Sequence, residues 1–285
     1  MMTDEEWKSF NRLLDLALEE DIGIRGDITS EAIFGKERCT CKLVSKDYGI
    51  LAGIECFHQV FQRIDPEVEY METLEDGVEL SPGMVVSRLM GPTKSILKAE
   101  RTALNFVGYL SGIATATHRM VLAARDKGKT VILDTRKTLP GYRALAKYAV
   151  RVGGGKNHRF GLYDMVLIKD NHIDAVGSLS EAVKRVRDRW GNEFLIEVEC
   201  RTLEDVREAV EARVDRILLD NMDVETTRTA VQWVGGRVPL ESSGDMTVER
   251  VGEYAAAGVD FISVGRITHS VSSFNFSLQV EGGSR

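Results

Sequence analysis

Apolar and polar positions change rhythm twice along the chain. Residues 4–20 (DEEWKSFNRLLDLALEE) place Trp7, Phe10, Leu14, Ala17 and Leu18 at helical intervals and predict an amphipathic helix. The next stretch, DIGIRGDITS, is a glycine-bearing turn with two aspartates, and both a helix-capping turn and a functional loop are open readings. Residues 39–53 alternate loosely and predict one or two strands ending at Gly53. Residues 54–64 (IECFHQVFQRI) predict a helix. Strand patches follow over 66–92, punctuated by Gly77, Pro82-Gly83 and Gly91-Pro92. This first part reads as a small α+β unit with an antiparallel sheet. Residues 95–125 form the longest helical stretch, and Gly108 and Gly112, four apart, suit close packing of a second helix.

From residue 130 short apolar strands recur: VILD (131–134), MVLI (165–168), FLIEVE (194–199), RILLD (216–220), VPLE (238–241) and FISVG (261–265). Helical segments separate the later ones, and two open on capping signatures, Ser178 to Glu181 and Thr202 to Asp205. Nearly every strand ends on polar residues or glycine, as in α/β barrels, where strand C-termini carry the chemistry. Six clear strands predict an incomplete barrel of about six or seven parallel strands. A doubly wound sheet is the alternative, although the dinucleotide fingerprint is missing because GGGKNHR does not follow a strand as required. The alternating tail segment FNFSLQV is expected to return to the first sheet.

Composition narrows the function. The 285 residues are 43% hydrophobic and 28% charged, ordinary globular values, with a formal net charge of -7. No apolar run reaches the length of a membrane span, and the acidic N-terminus lacks a signal-peptide pattern, so a cytoplasmic protein without membrane partners is expected. Cys39, Cys41, Cys56 and Cys200 form no CxxC pair and suggest reduced thiols.

Against the acidic whole, residues 136–169 hold eight Lys/Arg and one acid, Asp164. Arg136, Lys137, Arg143, Lys147, Arg151, Lys156, Arg159 and Lys169 surround a Pro140-Gly141 turn and the triple glycine 153–155. Glycines admit backbone N–H groups close to an anion, and Arg and Lys supply charge. The confined patch argues for a small polyanion and against a broad nucleic-acid surface. Strand-end acids Glu199 and Asp220 are read as partners of a cation beside substrate phosphates, while the deeper Glu197 is read as part of a structural ion-pair network. Ser242, Ser243, Gly244 and Gly265 are small residues suited to holding phosphate, and Asp245 is expected to cap a helix starting near Thr247. His58 and His118 read as structural; for His172 and His269 both readings stay open.

These stretches resemble the quinolinate phosphoribosyltransferase family: GDITS (26–30), ERTALNFVGYLSGIAT (100–115), DTRKTLPG (134–141), KYAVRVGGGKNHRFGLYDMVLIKDNH (147–172), IEVEC (196–200), LLDNM (218–222), ESSG (241–244) and SVGRITHS (263–270). The resemblance implies an N-terminal α+β sandwich over 1–110, joined by the tail 271–285, and an incomplete α/β barrel over 111–270. It implies a pentosyltransferase that joins quinolinate to phosphoribosyl pyrophosphate with Mg²⁺ as cofactor, giving nicotinate mononucleotide, pyrophosphate and CO₂. It also implies a homodimer in which the partner subunit's Arg101 completes the site. By motif, Arg136, His158, Arg159 and Lys169 match the quinolinate pocket and Lys137 a phosphate contact. Glu199 and Asp220 match ribose and metal partners, with Lys137, Lys169, Glu199 and Asp220 catalytic. Ser243, Gly244, Gly265 and His269 match the 5′-phosphate loop. Asp245 and Arg266 depart from the family pattern there.

Overall fold

The computed structural model describes residues 1–282. In its first part run α1 (Asp4–Ile22), α2 (Ile28–Ile33), β1 (Arg38–Ser45), β2 (Gly49–Ile50), α3 (Ile54–Ile64), β3 (Glu69–Thr73), β4 (Glu79–Leu80), β5 (Val85–Pro92) and α4 (Thr93–Arg125). There follow β6 (Val131–Leu133), α5 (Arg143–Val152), β7 (Val166–Ile168), α6 (Asp170–Val176), α7 (Leu179–Trp190), β8 (Ile196–Cys200), α8 (Leu203–Glu211) and β9 (Arg216–Asp220). The chain closes with α9 (Val224–Val234), β10 (Leu240–Ser243), α10 (Val248–Ala257), β11 (Phe261–Ser263), α11 (Arg266–His269) and β12 (Phe276–Val280). Packing divides it into two compact units. One holds residues 1–118, 139–154 and the segment from Ser270; the other holds 119–138 and 155–269.

The first unit is built on a four-stranded sheet in the order β12-β1-β5-β3, all antiparallel. The tail strand β12 pairs with β1, Cys41 opposite Val280, as its alternation predicts. In α1 the buried stripe is Phe10 and Leu14, with Trp7 half-buried. Glu6 is buried as well, because it closes a capping box with Thr3 and binds the Arg151 guanidinium at 2.8 Å. The DIGIRGDITS turn resolves as a cap: Asp27 Oδ1 accepts the N–H groups of Thr29 and Ser30 at the start of α2. Gly53, expected to end a strand, instead starts α3 with a φ of 85°, a conformation that favours glycine.

Two further expectations are corrected in this unit. Gly108 and Gly112 admit the tail's backbone, not a second helix. Phe274 N donates to Gly108 O at 2.8 Å, and a Cβ on Gly112 would overlap the Ser272 carbonyl oxygen. The cationic stretch is also split, because α5 carries Arg143, Lys147 and Arg151 into the first unit. Lys147 is buried there, and Arg151 pairs with Glu6. Gly153 is small for packing, since an added Cβ would overlap the Ala114 carbonyl oxygen of α4 and lie 2.8 Å from Thr117 Cβ.

In the second unit six parallel strands run in the order β6-β11-β10-β9-β8-β7. Strands β7 to β11 therefore lie side by side in chain order, and β6, first in sequence, closes onto β11. That is the circular order of a barrel with its gap between β6 and β7; a doubly wound sheet would put its first strand inside the sheet. Lys156 forms one parallel bridge with Leu133 on the outer edge of β6, a stub of a seventh strand. Helices α7, α8 and α10 are capped by Ser178, Thr202 and Thr247. Strand β10 starts two residues later than its apolar run suggests, after Pro239, which lacks an N–H to give a ladder. Among the described residues no helix is long and apolar enough to cross a membrane.

Candidate active site

Strand periodicity builds the site. Leu167 and Lys169, Glu197 and Glu199, Leu218 and Asp220, and Glu241 and Ser243 are i, i+2 pairs along or just beyond their strands, so each pair shares one face. The outer member of each pair reaches a cavity of about 330 Å³ lined by Thr135, Arg136, Lys137, His158, Arg159, Leu167, Lys169, Glu199, Leu218, Asp220, Glu241, Ser243 and Ser263.

The loop after β6 is fixed from below. Asp134 is fully buried, and its carboxylate accepts from His158 N at 2.9 Å and from Asn157 Nδ2 at 2.6 Å. Thr135 Oγ1 accepts the Lys137 N–H at 3.0 Å, turning the chain so that Arg136 and Lys137 both line the cavity. Arg159 N donates to His158 Nδ1 at 2.7 Å, and Arg159 Nη1 donates to Met165 O at 3.1 Å. Burial, and after it the neighbouring Arg136 charge, lowers the Arg159 pKa from its usual value. The Arg159 charge is thus disfavoured until an anion arrives.

Opposite them, Lys169 Nζ donates to Glu199 Oε2 at 3.3 Å. Its own N–H is taken by His172 Nδ1 at 2.9 Å, which settles His172 as a cap on α6. The Glu199 carboxyl is pushed up by burial, pulled down by Lys169 and pushed up again by Asp220. Asn221 Nδ2 donates to Asp220 Oδ2 at 2.9 Å, and Asn221 N donates to Ser243 O at 2.9 Å, joining the β9 and β10 ends. Gly244 has a φ of 118°, and a Cβ there would overlap Asn221 Oδ1, so glycine is required on both counts. Gly265 packs against Lys137 and His269: an added Cβ would lie 3.1 Å from Lys137 Cδ and 3.3 Å from His269 Nε2. Thr268 Oγ1 donates to Lys137 O at 2.8 Å. Asp245 is not the helix cap that the sequence suggested. Thr247 caps α10, while Asp245 takes a positive φ and its carbonyl accepts from Arg250 Nη1 at 2.8 Å.

Beneath the cavity lies a sealed ionisable cluster. Glu197 and Glu241 are fully buried. His158 Nε2 is 2.9 Å from Glu197 Oε2 and 3.5 Å from Glu241 Oε2. Arg216 Nη1 is 3.2 Å from Glu241 Oε2 and 4.0 Å from Glu197 Oε1, with its guanidinium 4.3 Å over the Phe261 ring. Burial raises the Glu197 pKa, opposed first by Arg216. Burial, then the Glu197 charge, pushes Glu241 up to about 7. One ligand atom from each of His158, Glu197 and Glu241 lies within 4.8 Å of the others, a spacing a metal could use. The Arg216 guanidinium already supplies positive charge there, and the cluster reads as the ion-pair network expected of Glu197.

Of the residues singled out in the sequence, Arg136, Lys137, His158, Arg159, Lys169, Glu199, Asp220 and Ser243 line one cavity. Gly265 and His269 adjoin Lys137, and Gly244 follows Ser243. Arg101 belongs to the first unit, exposed on α4, where it lines a cavity with Asn105, Tyr109, Phe274 and Phe276. Sequence reasoning missed Asp134, Arg216, Glu241 and Ser263. Asp134 and Glu241 carried a visible signal, an acid at a strand's C-terminal end; Arg216 and Ser263 carried none.

Fold and site define an incomplete α/β-barrel enzyme with a cation-lined pocket at its strand C-termini. Comparison with known proteins specifies the family. Residues 113–279 match the model of the quinolinate phosphoribosyl transferase C-terminal domain, and 27–111 that of the N-terminal domain. The chain belongs to this family. It is 44% identical to a probable nicotinate-nucleotide pyrophosphorylase [carboxylating] of Bacillus subtilis, across 94% of this chain and 92% of that one. It is 40% identical to a mitochondrial quinolinate phosphoribosyltransferase [decarboxylating] of Nicotiana glauca, across 94% and 81%. Among solved structures, NadC from Streptococcus pyogenes aligns with a TM-score of 0.91 at 39% identity, covering 96% of this chain and 97% of that one. The nicotinate-nucleotide pyrophosphorylase of Francisella tularensis aligns with a TM-score of 0.92 at 38% identity, covering 96% of each.

Proposed function

We propose that this chain transfers the phosphoribosyl group of phosphoribosyl pyrophosphate to quinolinate and decarboxylates the adduct, giving nicotinate mononucleotide, pyrophosphate and CO₂. The observation that carries this reading, beside family membership, is the meeting of Arg136, Lys137, Arg159 and Lys169 with Glu199 and Asp220 in one cavity. Quinolinate brings two carboxylates and the second substrate several phosphate charges. A half-buried pocket accepts them only against fixed cations.

Arg136, Arg159 and Lys169 bind the quinolinate carboxylates, with His158 forming the wall that orients Arg159, and Arg101 of the partner subunit completes the site in a homodimer. Lys137 contacts pyrophosphate. Ser243, Gly244, Gly265 and His269 hold the 5′-phosphate. Glu199 and Asp220 fit a divalent cation, which we assign as Mg²⁺: they are neighbouring carboxylates whose mutual repulsion an oxygen-seeking cation relieves. When bound, that cation neutralises charge on the leaving pyrophosphate. The remaining chemistry belongs to the pocket. Glu199 and Asp220 stabilise the positive charge that develops on the ribose as the pyridine nitrogen attacks C1. The nitrogen becomes cationic and draws the electron pair released when the adjacent carboxylate leaves.

The reading includes a functional division into a sandwich domain over 1–110 with the tail 271–285 and a barrel over 111–270, supported by family models that meet between residues 111 and 113. It also includes a cytoplasmic location. Calorimetry of Arg136→Ala tests the pocket: quinolinate affinity should fall by about 2–5 kcal/mol with the melting temperature unchanged. Wild-type affinity in that variant would reject the assignment.

A further inference from the structure

A ribose 5-phosphate group spans the acid beside its ring and the turn around its phosphate, so the two must stand at one spacing. None of the residues assigned above sets that spacing. We propose that Asn221 is the positioning residue that does so, its amide holding the Asp220 carboxylate against the Ser243–Gly244 turn. The inference rests on the quinolinate reading above, with Asp220 beside the ribose and Ser243 and Gly244 at the 5′-phosphate.

Three non-glycine residues among those described have a positive φ: Arg213, Asn221 and Asp245. Arg213 lies between α8 and β9, at the opposite end of β9 from Asp220. Asp245 gives its carbonyl to Arg250 Nη1. Asn221, with a φ of 53°, is the one bonded to an acid of the cavity. Side chains alternate along β9, so an extended residue after Asp220 would point its side chain away from the cavity. The left-handed backbone brings it back, and Nδ2 donates to Asp220 Oδ2 at 2.9 Å. Glu199 lines the same cavity and the two acids repel each other, so this bond opposes the rotation of Asp220 that repulsion favours.

The other side of Asn221 is fixed as well. Its N–H donates to Ser243 O at 2.9 Å, extending by one step the ladder in which Ser243 faces Asp220. Its side chain lies so close over Gly244 that a Cβ there would overlap Oδ1 and come 2.8 Å from Cγ. Asparagine suits the place, because its short amide bonds locally and it enters the left-handed region more readily than most residues with a side chain. One side chain thus joins the acid assigned to the ribose to the turn assigned to the 5′-phosphate.

Asn221→Gly tests this, because glycine takes a positive φ freely and keeps the N–H to Ser243. Were Asn221 serving only the backbone, that variant would be as stable and as active as wild type. Wild type must first turn over quinolinate; failure there ends the functional reading itself. Given turnover, the variant should keep or raise the melting temperature while kcat/KM for phosphoribosyl pyrophosphate falls roughly 10- to 100-fold. Quinolinate affinity by calorimetry should change by less than about twofold, since those contacts are separate. Calorimetry with nicotinate mononucleotide, whose ribose 5-phosphate spans both groups, should show an affinity loss of roughly fivefold or more. In an Asp220→Ala background, adding Asn221→Gly should change that affinity by less than about twofold, because Asn221 acts through Asp220. Wild-type kcat/KM in Asn221→Gly, an equal fall in quinolinate affinity, or the same nucleotide loss with and without Asp220 overturns the proposal. If Asn221→Gly does not fold, Asn221→Asp, which also tolerates positive φ and lacks the amide donor, is judged by the same measurements and the same criteria.

Discussion

Replacing Arg216 with Met would remove a charge from beneath the pocket while keeping an unbranched side chain near Phe261. In the wild type the guanidinium is 3.2 Å from Glu241 and 4.0 Å from Glu197, both carboxyls fully buried. Breaking a buried pair by removing one partner costs about 3–5 kcal/mol, because a buried charge loses its compensation. Here the cost depends on pH. The folded-state pKa of Glu241 is raised to about 7 from the ordinary 4.5, so its contribution is fully present below the ordinary value and is lost as pH rises through about 7. Arg216 opposes that rise, and its removal pushes the carboxyl higher still. The variant should therefore lose less near pH 5, where Glu241 is protonated in the fold with or without Arg216 and only Glu197 loses a neighbouring cation. The full penalty should appear near pH 8, where wild type keeps the charge paired and the variant cannot. Urea unfolding at the two pH values, analysed for midpoint and slope, reads this directly. A gap that stays constant across pH, or wild-type stability at pH 8, would refute the reasoning.

Two other outcomes follow from the packing. Gly112→Ala should destabilise the first unit by about 1–3 kcal/mol, since its Cβ would overlap the Ser272 carbonyl oxygen and lie 3.0 Å from Val271 Cγ1; a lowered melting temperature checks it. Lys169→Met should alter stability by less than about 1 kcal/mol, because the pair with Glu199 leaves the lysine side chain 49% exposed, yet activity should drop strongly in a steady-state assay.

Periodicity made most of the architecture legible. Helix α3 lies where the apolar spacing puts it, and the six barrel strands sit at the six apolar runs, because burial in a parallel sheet demands continuous β-branched and leucine-rich segments. The shift of β10 came from Pro239, whose missing N–H outweighed the hydrophobic run. Helix α6 was not anticipated, since seven residues after a strand carry too little pattern. The site was legible where charge is unusual for its surroundings: Arg136, Lys137, Arg159 and Lys169 stood out against an acidic chain. The same signal misled at Arg143, Lys147 and Arg151. They are close to the others in sequence, but α5 uses them in the first unit. Arg216 was invisible because a cation at a strand's start looks like any solvated end residue. Its meaning appears only when β8, β9 and β10 lie side by side and bring Glu197 and Glu241 to it.

The most direct test of the central claim is turnover. Purified protein with quinolinate, phosphoribosyl pyrophosphate and Mg²⁺ is followed for nicotinate mononucleotide and CO₂, with nicotinate replacing quinolinate in parallel. Product and CO₂ from quinolinate alone is the expected result, because Arg136, Arg159 and Lys169 line one cavity and are proposed to bind the two carboxylates. Turnover of nicotinate with quinolinate inert would contradict it.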